Sequence, residues 1–156
     1  MKPFIPKYPD GDISTRYWIE SGKNLRIEEY HGPIALSDWR TMTSAITSDP
    51  AFSPDHHGLM DFTRASLQMS TNDVIRMGLL MRRQDYLSNG WQLFVVNSSA
   101  DFGNIRMLSR WARNENRLKI FNRRCDADAW FHRNGSSYPF CVQASPASFG
   151  AKRISA

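Results

Sequence analysis

The sequence lacks the usual signatures of bond-making machinery. It contains no G-x-S-x-G elbow to present a nucleophilic serine. It has no HExxH or paired-cysteine spacing to hold zinc, and no G-x-G-x-x-G or Walker loop to cradle a nucleotide phosphate. Cysteine is scarce: Cys125 and Cys141 stand alone, outside any reactive-thiol pattern, and are expected as free thiols of a reducing compartment. No apolar run approaches the roughly 20 residues of a membrane-spanning helix. The opening Met1-Lys2-Pro3-Phe4-Ile5-Pro6 lacks the apolar core and small-residue cleavage pattern of a secretory signal, so a cytoplasmic setting is expected. No internal repeat is visible.

What is present describes a folded domain. With 156 residues, 41% apolar and 22% charged, the chain can bury a real core as one domain. The net charge of +5 is lopsided: residues 1–70 hold 7 basic and 9 acidic side chains, residues 71–156 hold 13 and 6. Arg106, Arg110 and Arg113 recur at near-helical spacing and share a face, with Arg117, Lys119, Arg123 and Arg124 close behind. Such a stripe attracts nucleic acid or an anionic membrane. No recognition module accompanies it, however, and the nearby Trp111, Phe121 and Trp130 fall at apolar periodic positions, which suits core better than stacking platforms. A solvated basic face is the expectation, and nucleic acid is the weakest partner class.

Residues 1–15, with Pro3, Pro6, Pro9 and Asp10-Gly11-Asp12, read as an N-terminal arm. Tyr17-Trp18-Ile19, a turn at Ser21-Gly22-Lys23-Asn24 and Leu25-Arg26-Ile27-Glu28 read as a hairpin, its second strand alternating apolar and charged residues as if one face were wet. Gly32-Pro33 should end it. Ser37 is the expected cap of a first helix carrying Leu36, Trp39, Thr43 and Ile46, closed before Pro50. A short apolar strand, Gly58-Leu59-Met60-Asp61-Phe62, then leads through a polar loop to a second helix. Ser70 should cap that helix, with Asp73 completing a capping box and Met69 and Val74 a hydrophobic staple. Its body, residues 74–81, is apolar over much more than one stripe, so it is either buried or lines something apolar. Asn89-Gly90 stops it. Leu93-Phe94-Val95-Val96 suits a strand covered on both faces.

A third helix near Asp101 carries Ile105, Leu108 and Ala112, and Leu118-Lys119-Ile120-Phe121 is the last strand. A final helix is expected with Asp126 as cap and Ala127, Trp130 and Phe131 inward. The domain spans residues 16–133, and residues 134–156 form a Gly/Ser/Pro-containing tail. The order ββαβαβαβα predicts an α/β fold: about four helices on a mixed, mostly parallel sheet of about five strands, with an N-terminal antiparallel hairpin.

Candidate chemistry is thin. Asp55-His56-His57 groups three ligand types, but adjacent residues seldom aim at one ion, so a solvated loop is expected and no metal or cofactor. His31 and His132 stand alone. Glu28 and Glu29 on a strand point to opposite faces and cannot serve one atom. A Ser/His/Asp set assembled from distant residues stays open, because triads are recognised by geometry. The loop around the second helix start carries Thr63, Ser66, Ser70 and Thr71. A hydroxyl in a helix's first turn is a poised phosphorylation site, since the dipole stabilises added negative charge there.

The pattern from Tyr17 to His132 resembles the STAS-like family of small bacterial α/β proteins, typified by the SpoIIAA anti-anti-sigma factor, and most of all its branch compared with CRAL-TRIO lipid-transfer domains. The stretches that carry the resemblance are Tyr30-His31-Gly32-Pro33-Ile34, Leu59-Met60-Asp61-Phe62, Ser70-Thr71-Asn72-Asp73-Val74, Val95-Val96 through Phe102-Gly103, and Phe121 with Asp126-Ala127-Asp128-Ala129-Trp130-Phe131. The resemblance implies a non-enzymatic regulator with an aspartate ending a strand, matched by Asp61, and a phosphorylated residue opening the next helix, nearest Thr71. Ser70 departs from the family's aspartate at that position. A protein partner at residues 66–76 is therefore the first expectation. The second is an apolar small molecule held by Val74, Met77, Met81 and Trp111; a homodimer is compatible with either.

Overall fold

The computed structural model describes Lys7 and residues 15–20, 24–83, 90–113 and 117–134. Nine elements follow in chain order: β1 (Arg16–Glu20), β2 (Leu25–Ile34), α1 (Leu36–Thr47), β3 (His57–Leu67), α2 (Thr71–Arg83), β4 (Gln92–Val95), α3 (Ser99–Ala112), β5 (Leu118–Phe121) and α4 (Arg124–Asn134). This is the expected order. The strands form one sheet in the order β1-β2-β3-β4-β5, antiparallel between β1 and β2 and parallel throughout the rest. Apart from Lys7 and Thr15, the expected arm lies outside the described residues, as do Ser21-Gly22-Lys23, Asn89, Cys141 and the tail beyond residue 134. Lys7 bridges to Tyr17 on β1 and pairs with Asp49.

Because consecutive parallel strands lie side by side and crossovers keep one hand, α1, α2 and α3 fall on one face of the sheet. Trp39, Met42 and Ile46 of α1, Val74, Met77 and Met81 of α2, and Ile105 and Leu108 of α3 pack there on Tyr17, Tyr30, Met60, Phe62 and Phe94. Tyr30, Phe62 and Phe94 stack across three strands, with centroids 4.3 and 6.2 Å apart and planes within 7°. On the other face Trp18, Leu25, Ile27, Leu59, Leu93 and Val95 pack against Ala127 and Phe131 of α4. Burying each large apolar side chain contributes about 1.5–3 kcal/mol. All four residues of β4 are buried, as its β-branched and aromatic run predicts.

Several boundaries differ from expectation. β2 has no wet face in its first half, because Arg26 and Glu28 are fully buried, 0% exposed, under the helix layer. They are compensated in place: Arg26 Nε donates to Glu28 Oε1 at 2.7 Å, Tyr30 Oη donates to Glu28 Oε2 at 2.5 Å, and Arg26 Nη2 donates to Gln92 Oε1 at 2.9 Å. That last bond crosses β3 over Gly58, which pairs with Arg26 on one side and Gln92 on the other. Nor does Gly32-Pro33 end β2. Among the described residues, the strand beyond Glu29 pairs with β3 alone, an edge position at which proline is tolerated. Ala35, not Ser37, caps α1, and Asp38 Oδ2 accepts from Ala35 N at 2.8 Å. Ser98 caps α3. Asp126 falls inside the first turn of α4 and pairs with Arg123 at 2.9 Å, so the helix begins earlier than expected.

Candidate functional site

The longest departure from expectation lies at the candidate site. β3 does not stop at Phe62 but runs on to Leu67, so Thr63 and Ser66 are strand residues, not loop residues. The cause is a bulge. Glu29 and His31 of β2 are two apart, while their partners Asp61 and Arg64 are three apart. One extra residue at Thr63 resets the alternation, so Met60 and Phe62 face the helix layer before it and Ala65 and Leu67 face it after. In the sequence that slip reads as loss of period.

Asp61 closes the described pairing of β3 with β4. Its carboxylate is shared. Oδ1 accepts from Thr63 N at 2.9 Å and Thr63 Oγ1 at 2.6 Å; Oδ2 accepts from Arg124 Nη1 at 2.9 Å. Arg124 Nε also donates to Asp128 Oδ1 at 3.2 Å, and Asn97 Nδ2 donates to the Thr63 carbonyl at 2.8 Å. Asp61, Arg124 and Asp128 are 5–8% exposed. On β2, Glu29 pairs with Arg16 at 2.8 Å. His31 is held below its usual pKa, chiefly by desolvation and then by the Arg64 guanidinium, with Glu29 opposing. These groups form a mixed-charge network that is largely satisfied within the protein.

The start of α2 behaves differently. Ser70 Oγ accepts from Asp73 N at 3.2 Å, and Asp73 Oδ2 accepts from Ser70 N at 3.1 Å and Ser70 Oγ at 2.8 Å, which is the expected capping box. Those bonds, the Ser70 hydroxyl first, hold the Asp73 carboxyl below its usual range. Thr71 is exposed, and its hydroxyl makes no hydrogen bond among the described residues. Ser66 Oγ accepts from Gln68 Nε2 at 3.3 Å and makes no other side-chain bond among the described residues. Asp61 and Thr63 are thus brought together, as are Ser70 and Asp73, but no bond joins the two groups. Arg124, expected on a solvated basic face, is instead buried, and neither it, Asp128 nor Asn97 is linked to this site by sequence reading. No local spacing links them to Asp61, which lies 63 positions from Arg124.

The four residues expected to hold an apolar molecule differ in burial. Val74, Met77 and Met81 are 1–3% exposed and packed in the core, while Trp111 is 43% exposed and stands on the surface. α2 is apolar most of the way round because it is the middle helix, covered by α1, α3 and the sheet. Trp111 crosses over Gly78, where a side chain on α2 would meet Trp111 Cβ at 2.6 Å and the Leu108 carbonyl at 3.1 Å. Trp111 is therefore not core, and Phe121 and Trp130 are half-buried. Arg106, Arg110 and Arg113 are exposed along α3, as their spacing predicts. The expected solvated Asp-His-His loop is not one: His56 is 3% exposed and His57 opens β3. Their Nδ1 atoms accept from Ser53 N at 3.3 Å and Trp91 N at 2.9 Å, and burial lowers both pKa values. No helix among the described residues is long and apolar enough to cross a membrane.

No protein-family model and no curated protein matches the chain. A solved structure from Shewanella loihica, described as an uncharacterized DUF3478-family protein with a SpoIIAA-like fold, is similar to it. The match has 15% identity, covers 81% of this chain and 90% of that one, and has a TM-score of 0.46. At that similarity no activity or partner passes from one chain to the other.

Proposed function

We propose that this chain is a non-enzymatic regulatory protein that works by protein–protein contact over residues 66–76, with Thr71 as a phosphorylation switch. A contrast between two sets of polar groups supports this reading. Arg26, Glu28, His56 and Asp61 are buried and bonded internally, so they offer nothing to a substrate. Ser66, Gln68, Ser70, Thr71, Asn72 and Arg76 are exposed around one helix start.

The observation that carries the reading is the free, exposed Thr71 hydroxyl at the first position of α2 beside a Ser70 hydroxyl already taken up in the cap. A phosphate on Thr71 would add roughly 1.5–2 negative charges at the positive end of the helix dipole. On Ser70 it would stand against the Asp73 carboxylate, 2.8 Å from the hydroxyl, and break the cap. Thr71 is therefore the preferred acceptor.

Intact-mass measurement of the chain from its native host, with peptide mapping, tests this. One phosphate on Thr71 in some growth condition, absent in Thr71→Ala, is expected, with Thr71→Glu altering retention of a co-purifying protein. An unmodified mass under every condition, or modification confined to Ser70, would remove the switch.

A further inference from the structure

The charge asymmetry of the sequence has a location. Each of α1, α2 and α3 has one acidic residue, always in its first turn: Asp38, Asp73 and Asp101. All three are engaged, Asp38 by Ala35 N, Asp73 by Ser70, and Asp101 by Leu67 N at 3.4 Å. The Arg76 charge lies near enough to Asp73 to help lower its pKa, but the capping bonds with Ser70 come first. Arg40, Arg76 and Arg83 are exposed, and among the described residues none of them makes a hydrogen bond or ion pair.

These three arginines rim a groove. Between α1 and α2, two adjoining hollows of about 370 and 220 Å³ share Arg40 and Leu80. Half-buried Leu36, Leu79 and Leu80 make the apolar floor, and among the described residues no acidic side chain lines either hollow. The groove follows α1 from Leu36 to Thr47, about 16 Å at the helical rise, or roughly three turns of a facing helix. A concave apolar floor admits the apolar edge of a helix with anchors at i, i+3/i+4 and i+7. The arginine forks are matched to carboxylates flanking that edge.

We infer that the groove between α1 and α2 docks an acidic amphipathic helix of a partner protein. This rests on the reading of the chain as a partner-binding protein and supplies the chemistry of the partner. The groove adjoins the residues 66–76 surface through Arg76, so one partner can span both.

The test uses the full chain and a synthetic helical peptide with leucines at i, i+3 and i+7 flanked by glutamates, followed by fluorescence anisotropy. A lysine-for-glutamate peptide and phosphatidylglycerol vesicles are the comparisons. The acidic peptide should bind and weaken with added salt. Binding should fall at least tenfold in the Arg40→Glu, Arg76→Glu, Arg83→Glu chain, which should gain affinity for the basic peptide. Since all three sites are exposed, the triple variant should melt like the native chain; if it does not, the single Arg40→Glu change must still weaken the acidic peptide alone.

Absence of peptide binding, indifference to charge reversal, or preference for the vesicles would each overturn the inference. A photo-reactive side chain at position 40 or 71 in the native host separates this claim from its parent. Cross-links at 71 without any at 40 reject the groove and leave the partner surface standing. No cross-links at either reject both, and cross-links at both that the acidic peptide competes away agree with the inference.

Discussion

Gly58 is a position where the structure makes an unforced quantitative demand. Its backbone needs no left-handed geometry; among the described glycines only Gly32, at φ 73°, does. What Gly58 provides is space. A methyl group there would lie in the line of the Arg26 Nη2 to Gln92 Oε1 bond, touching both atoms, and both side chains are 0% exposed with nowhere to withdraw.

Gly58→Ala should therefore lose a buried charged hydrogen bond, about 1.5–3 kcal/mol, and add overpacking of about 1–3 kcal/mol. It regains about 0.4–1 kcal/mol because alanine restricts the unfolded chain. A net loss of about 1.5–5.5 kcal/mol follows from these terms, or a fall in Tm of about 6–22 °C at roughly 4 °C per kcal/mol for a domain of this size. Urea and thermal melts measure it. In a Gln92→Ala background the methyl group has room and the bond is already gone, so the same substitution should be milder by at least about 1 kcal/mol. A Gly58→Ala chain within about 0.5 kcal/mol of native, the ordinary range for an unconstrained site, or equal losses in both backgrounds would refute the argument.

Three further outcomes follow from the same geometry. Gly78→Ala should loosen the α2 and α3 contact by about 1–3 kcal/mol despite alanine's better helix propensity, because the Leu108 carbonyl at 3.1 Å cannot yield as a side chain can; a stabilised protein in a urea melt would argue otherwise. Asp61→Ala removes one of two carboxylates from Arg124 and should destabilise by about 2–3 kcal/mol, with Asp128→Ala in the same chain costing more than Asp128→Ala alone; additive urea-melt losses would show that the three do not act as a unit. Burial lowers His56 and His57 below the usual 6.5, so their contribution to stability is complete above that value and is lost as pH falls from 6.5 through the folded values. Melting midpoints between pH 7 and 5 should decline, and the decline should flatten in a His56→Gln, His57→Gln chain. The lowered carboxyls of Asp49, Asp73 and Asp126 act in a separate window, below 3.8.

Local rules carried the reading of the chain as far as local physics extends. The run Leu93-Phe94-Val95-Val96 announces a doubly covered strand because β-branched and aromatic side chains tolerate burial on both faces, and β4 is buried throughout. The cap at Ser70 is legible because its partner lies three residues away. The nine-element order and the parallel, one-handed crossovers follow from the alternation of periods.

The packing of the layers fixed what those rules could not reach. The bulge at Thr63 hides half of β3, since one extra residue inverts the period on which strand recognition depends. Arg26 and Glu28 mimic a wet face, and only the helix layer, Tyr30 and Gln92 make their burial tolerable. Arg124 reaches Asp61 across 63 positions of chain, and α2 buries Val74, Met77, Gly78 and Met81 while Arg76, Arg82 and Arg83 stay exposed. Residue order alone set where the elements lie and which edges of them are apolar, because those are properties of a few neighbouring residues. Which charges are neutralised and which arginines are left facing a groove depended on how the layers met, because an ion pair is set by distance in space and not by distance along the chain.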